Sequence, residues 1–300
     1  MFDSMRMEEV HMTFEEFLRA RRTAETAAGT IAYVEHGEGP VALFVHGVFL
    51  NGYLWRDVIE RLGDVRRCIA VDLMAHGATR VGPAQDLAFT AQARMLADLL
   101  DALDIDRVDL VANDSGSGIA QLFAAGHPER LRSLTLTNGD VHDNWPPEAF
   151  KPTLAAAAAG QLAPALRSML ADVGFARSGG FGSAYARPEA LTAETVAAYL
   201  GPLVASPQAT GDLERFLATF DSAQTVAIHD RLRRLDVPTL IMWGTADSFF
   251  DLKWAYWLRD TIPGVRRVIE VPGGKLFFPE EEPGLVADAV RAHWTEAATL

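Results

Sequence analysis

Leu110-Val-Ala-Asn-Asp-Ser-Gly-Ser-Gly-Ile-Ala-Gln121 contains a change of hydrophobic period. Val108–Ala112 is a short apolar run of the kind a buried strand leaves, while Ile119–Ala125 carries its apolar residues at helical spacing. Between them the chain has room only for a sharp turn at Asp114, followed at once by a helix. Ala112 and Gly116 stand two residues to either side of the aspartate, and small side chains there let strand and helix backbones approach closely. Asp114 then projects at a helix N-terminus, where unpaired N–H groups and the helix dipole favour negative charge. The plain alternative for an aspartate in this place is a helix cap.

Working outward, strand-like runs alternate with helical patterns through the first half. Thr30–Glu35 and Val41–Val45 flank the turn signal His36-Gly-Glu-Gly-Pro40, and Cys68–Asp72 and Leu134–Thr137 are further short apolar runs. Phe89–Leu103 repeats apolar residues at helical spacing. Such alternation predicts βαβ units and an α/β fold with a mostly parallel central sheet flanked by helices. The pattern changes at Asn144-Trp-Pro-Pro147, after which no strand signal appears until Val237–Trp243 and Arg267–Val271, with a last helix near Pro283–His293. The expected organisation is a core of 1–144 and 226–300 interrupted by a helical cap at 145–225. Such a cap would roof the carboxyl ends of the strands, where open α/β sheets bind ligands.

Composition narrows the class. A chain of 300 residues with 49% hydrophobic and 22% charged residues is neither disordered nor fibrous. A formal charge of −13 argues against nucleic acid or an anionic membrane as partner, leaving a small-molecule substrate. The single cysteine, Cys68, cannot form an internal disulfide and reads as a small strand residue. Met1–Arg22 has no apolar h-region and no run reaches 18 apolar residues, so a cytoplasmic protein without membrane attachment is expected. No metal or organic cofactor is implied, and the sequence leaves the oligomeric state open.

Ala112-Asn113-Asp114-Ser115-Gly116 resembles the nucleophile elbow of the α/β-hydrolase fold superfamily, small-x-nucleophile-x-small. Moving the register to make Ser115 the nucleophile puts Asn113 at a small-residue position and loses the match. An aspartate at the centre is similar to haloalkane dehalogenases and epoxide hydrolases. That resemblance implies that Asp114 attacks carbon and forms an alkyl ester. His46-Gly-Val-Phe-Leu-Asn-Gly-Tyr-Leu-Trp-Arg56 looks like the family's His-Gly loop, and Asp72-Leu-Met-Ala-His-Gly77 like its Asp-Leu-Pro-Gly-His-Gly turn. By this resemblance the Val48 and Ser115 N–H groups form the oxyanion hole, while His46 braces a loop beside the pocket and His76 is structural. Met242-Trp-Gly-Thr-Ala-Asp247 closes a strand as the family's Gly-x-x-Asp does, which makes Asp247 the orienting acid and Asp140 the alternative. Expected pocket walls are His46, Phe49, Asn51, Trp55, Trp145, Phe249, Phe250 and Leu276.

The resemblance breaks at the base. Where the family presents histidine after the last strand, this chain reads Val271-Pro-Gly-Gly-Lys-Leu-Phe-Phe-Pro-Glu-Glu-Glu-Pro283, with Leu276 in the histidine position. Water that hydrolyses an aspartyl ester needs a base poised near neutral pH, and leucine is none. An aspartate elbow without histidine would complete the first half-reaction and stall. His142, His229 or a desolvated Lys275 are the candidate replacements. Alternatively, the chemistry is a lyase, isomerase or cyclase step, or ligand binding, with Asp114 as general acid/base. The family's halide-holding tryptophan and asparagine positions are Ser115 and Val48 here, and Tyr185 and Tyr199 stand in the insertion where epoxide hydrolases carry oxygen-activating tyrosines. One further reading stays open: Gly116-Ser-Gly118 opening a helix, with Asp140 after the next strand, mimics a dinucleotide-binding fingerprint and an NAD(P)-dependent oxidoreductase.

Overall fold

The computed structural model describes residues 12–299, so the first eleven residues of the Met1–Arg22 stretch lie outside the described residues. Eight strands, β1 (Arg21–Thr26), β2 (Gly29–His36), β3 (Val41–Val45), β4 (Arg67–Val71), β5 (Val108–Asp114), β6 (Leu131–Gly139), β7 (Thr239–Gly244) and β8 (Val265–Val271), form one sheet. The order is β1-β2-β4-β3-β5-β6-β7-β8. The β1–β2 and β2–β4 pairs are antiparallel, and every later pair is parallel. Side-chain chemistry explains who sits where. β3, β5 and β7 are buried along their whole length, as strands covered on both faces must be. β1, Arg-Arg-Thr-Ala-Glu-Thr, is polar and largely exposed at the sheet edge. It left no apolar signal in the sequence, and backbone pairing with β2 is what makes it a strand.

Four helices before β6, α1 (Phe14–Arg19), α2 (Arg56–Leu62), α3 (Phe89–Ala102) and α4 (Ser115–Gly126), alternate with the strands. α3 packs with α4, and α2 with the C-terminal helix at Pro283–Ala297. Between β6 and β7 the chain is helical: α5 (Lys151–Ala158), α6 (Leu162–Ala171), α7 (Val173–Ser178), α8 (Gly180–Ser183), α9 (Ala193–Leu200), α10 (Pro207–Leu217), α11 (Ala223–Val226) and α12 (His229–Leu232). Helical character thus runs on to Leu232, a little past residue 225. α13 (Lys253–Thr261) follows β7, and α14 (Phe278–Glu281) and α15 (Pro283–Ala297) follow β8. Among the described residues no helix is long and apolar enough to cross a membrane.

Candidate active site

β5 ends at Asp114 and α4 begins at Ser115, so the reversal is made by one residue, Asp114, at φ 57°, ψ −129°. A non-glycine residue pays for positive φ unless its surroundings fix it. They do so here. A Cβ on Gly116 would lie 2.5 Å from the His46 carbonyl oxygen and 2.7 Å from that of Val45, so only glycine lets α4 sit this close to β3. Ser117 Oγ donates to the carbonyls of Ala112 (3.1 Å) and Thr137 (2.7 Å), and Gln121 Nε2 donates to those of Ser117 (3.0 Å) and Asp140 (2.8 Å). Asn113 Nδ2 reaches Thr137 Oγ1 at 2.8 Å and the Leu276 carbonyl at 2.9 Å, tying the turn to the loop after β8.

The Asp114 carboxyl is buried, and the Val48 N–H donates to its Oδ2 at 2.9 Å. The Ser115 N–H is its second backbone donor. Burial nevertheless raises its pKa, to about 7, against these two bonds, and the negative charge of Asp247 adds to the rise. Asp140, one residue beyond the Gly139 that pairs with Asp114 across β5 and β6, is also buried. Burial and then the Asp114 charge push it well above the ordinary carboxylate range. Of this carboxyl pair Asp140 is the better proton holder, because Asp114 has the backbone donors that favour an anion.

Asp247 stands apart from that pair. Its Oδ2 accepts from Asn138 Nδ2 at 2.7 Å and its Oδ1 from the Phe249 N–H at 2.8 Å. Burial raises it to about 6, opposed by these bonds and by Lys275. Asn138 also accepts from the Gly244 N–H at 2.6 Å, so it locks the ends of β6 and β7 together. The sequence reading missed Asn138, although an amide at the end of an apolar strand was the signal available.

A cavity of about 290 Å³ opens above Asp114. Val48, Phe49, Asp114, Ser115 and Asp140 line its floor, Phe249, Phe250, Leu276 and Phe277 its β7 and β8 side, and residues of α5, α6 and α8 its roof. Among the described residues, Asp114 and Asp140 are the only ionisable side chains in this lining, and no histidine, lysine or arginine belongs to it. Phe49, Phe249, Phe250 and Leu276 therefore stand where a pocket wall was expected.

Several expected site residues stand elsewhere. His142 and His229 face each other, Nε2 to Nδ1 at 3.3 Å, against the Trp257 ring, and neither lines the cavity. Lys275 acts on Asp247 by charge but is not in the lining. His46 is buried under the floor, with Nδ1 2.7 Å from the Gly47 carbonyl and Nε2 accepting from the Leu73 N–H at 3.0 Å. Burial lowers it to about 4, so it is a neutral brace between two loops and not a pocket wall. Asn51 is used up by the Ala198 carbonyl and the Tyr53 N–H. Trp55 packs on Phe44, and Trp145 stacks on Phe89 at 4.2 Å while its Nε1 donates to Thr225 Oγ1. In each of these three the ring or amide is a structural filler, because its partners are outside the cavity lining. Tyr185 donates to Glu280 at 2.8 Å in a cluster with Arg56, and neither it nor Tyr199 is in the lining. The dinucleotide reading fails on space: a Cβ on Gly118 would lie 3.0 Å from both Asp140 Cβ and the Phe89 ring, so side chains fill the face a pyrophosphate would need.

Comparison with known proteins places this geometry. The family model for the alpha/beta hydrolase fold matches residues 40–282. A haloalkane dehalogenase of Mesorhizobium japonicum is 42% identical over 106 residues, a stretch covering 35% of this chain and 34% of that protein. Haloalkane dehalogenase 2 of Mycobacterium tuberculosis is 26% identical across 90% of this chain and 93% of its own length. Among solved structures, an ancestral haloalkane dehalogenase aligns at TM-score 0.76 with 24% identity, covering 93% of this chain and all of that one. The epoxide hydrolase CorEH aligns at TM-score 0.76 with 21% identity, covering 92% and 98%. At these identities the structural likeness speaks for the fold.

Proposed function

This chain belongs to the α/β-hydrolase fold family, and we propose that it is a hydrolase-type enzyme in which Asp114 attacks an electrophilic carbon of a small apolar molecule. One observation carries the reading: a buried carboxylate at the strand-to-helix apex, held through Oδ2 by the Val48 N–H at 2.9 Å, faces an apolar cavity. With Oδ2 pinned by Val48, Oδ1 is the oxygen that attacks. The product is an aspartyl alkyl ester whose carbonyl oxygen lies against the Val48 and Ser115 N–H groups, where a tetrahedral oxyanion would form during hydrolysis. The segment 145–225 serves as the cap, its α5, α6 and α8 residues excluding water from the ester. An alkyl halide, an epoxide or an activated ester are the substrate classes that fit. Incubation with a panel of these, followed by intact mass and peptide mapping, is expected to place an adduct on Asp114 or to show turnover. Asp114→Ala abolishes both, and an adduct that survives this substitution overturns the reading.

A second reading has its own support, since among the described residues no histidine lines the cavity. Asp114 and Asp140 would then serve as an acid/base pair for a lyase, isomerase or cyclase step without covalent attachment. That reading expects no adduct with any electrophile that fits the cavity.

A further inference from the structure

We infer that Asp140 is the proton carrier of this site, giving its proton to the leaving atom when Asp114 attacks and recovering one from water when the ester is hydrolysed. The inference rests on Asp114 being the nucleophile and deepens that reading. Asp140 lines the same cavity as Asp114, and its N–H lies 3.4 Å from the Asp114 carbonyl oxygen. Its Oδ2 is buried without a hydrogen-bond partner among the described residues, an unusual state for a carboxyl oxygen unless a ligand is to meet it. The residue is held in place from two sides: Gln121 holds its carbonyl at 2.8 Å, and the Ser115 side chain bonds the carboxyl. The groups facing it supply no cation. β5 presents Asp114, with Asp247 acting on that residue from beyond β7, α4 presents Ser115, and Phe89 of α3 meets the site beside Gly118.

The charge state follows the reaction. While Asp114 is ionised, burial and the neighbouring charge keep the Asp140 proton in place. Esterification neutralises Asp114, the repulsion disappears, and an Asp140 carboxylate becomes tolerable at that moment. The arrangement therefore selects the leaving atom. A departing halide finds no N–H side chain in the lining and has no use for a proton. An oxygen leaving group needs one, and an epoxide keeps that oxygen in the product. In the first step the Asp114 carboxylate forms a C–O bond to one epoxide carbon, the ring C–O bond breaks, and the Asp140 proton passes to the freed oxygen. In the second, water gives a proton to Asp140 as its oxygen adds to the ester carbonyl. The tetrahedral intermediate then expels the alkoxide, which takes the remaining proton from the Asp114 carboxylic acid. The sum is epoxide plus water to diol, with Asp114 ionised and Asp140 protonated as at the start.

The test uses 1,2-epoxyhexane with 1-bromohexane as the halide control, on the wild type and on Asp140→Asn, Asp140→Glu and Asp114→Ala. Wild type is expected to release hexane-1,2-diol. Asp140→Asn, which preserves size and neutrality, is expected to lose about 100-fold or more of that turnover. It should melt within a few degrees of wild type and hold whatever adduct forms on Asp114. Asp140→Glu, by returning a carboxyl, regains part of the loss, which a merely structural role would not give. Diol formation by Asp140→Asn within about threefold of wild type overturns the inference, since a proton carrier is worth far more than that. So does a wild-type adduct that never yields diol, or bromohexane alkylation without reaction of the epoxide, and in both of those Asp114 survives as the nucleophile. Diol formation by Asp114→Ala, or no adduct and no product with either compound, overturns the nucleophile reading itself.

Discussion

The turn after β5 and the loop after β8 face one cavity and are joined by the Asn113–Leu276 hydrogen bond, yet they differ in what they offer it. The turn carries a carboxylate, two backbone donors aimed at it and a glycine where the chains nearly touch. The loop offers a leucine and a phenylalanine. The Leu276 carbonyl accepts from the Asn113 amide, so a main-chain group ties the loop to the turn, but of the two only the turn presents an ionisable side chain to the cavity. Asp247, beyond β7, has its oxygens taken by Asn138 and the Phe249 N–H. Main-chain contacts can hold two loops together whatever chemistry their side chains bring to the cavity.

Returning an imidazole to the loop is the strongest challenge to this contrast. In an Asp140→Asn background, Leu276→His is expected to speed breakdown of the Asp114 ester by about 100-fold, read as loss of the mass adduct with time. An unchanged rate means that an imidazole at position 276 does not reach the ester. Less drastic is Gly116→Ala, which pushes a methyl group into the Val45 and His46 carbonyls and should cost about 1–3 kcal/mol in denaturant unfolding. A neutral result would show that close approach at the turn is not what fixes it. The smallest effect belongs to Asp247→Asn. Ester formation needs ionised Asp114, so its rate rises with pH about a midpoint near 7. Removing the Asp247 charge removes a repulsion that favours the protonated form, and the midpoint moves below 7. A pH–rate profile that stays put or moves upward breaks the link between the two carboxylates.

The core strands were legible because burial on both faces demands near-continuous apolar runs; Val41–Val45 is one, and Val108–Ala112 is one apart from Asp109. β1 was not, since five of its six residues are polar and only pairing with β2 defines it. In the site, the elbow stood out because strand, small residues and helix are contiguous. The base candidates could not be judged in the same way. His142 lies two residues beyond Asp140 in the chain, but its ring turns to His229 and Trp257. Trp145 and Asn51 were likewise plausible walls whose partners, Phe89 and the Ala198 carbonyl, come from distant segments.

From the order of its residues alone, this protein had an α/β core and a sharp turn at Asp114. These are matters of local period and composition, which neighbouring residues in the chain decide. Folding decided that Asp140 shares the cavity with Asp114, that every described histidine stays outside its lining, and that burial raises the pKa of both carboxyls. The cause is desolvation: a side chain's proton affinity depends on how completely distant segments remove water from around it, and no local pattern records that.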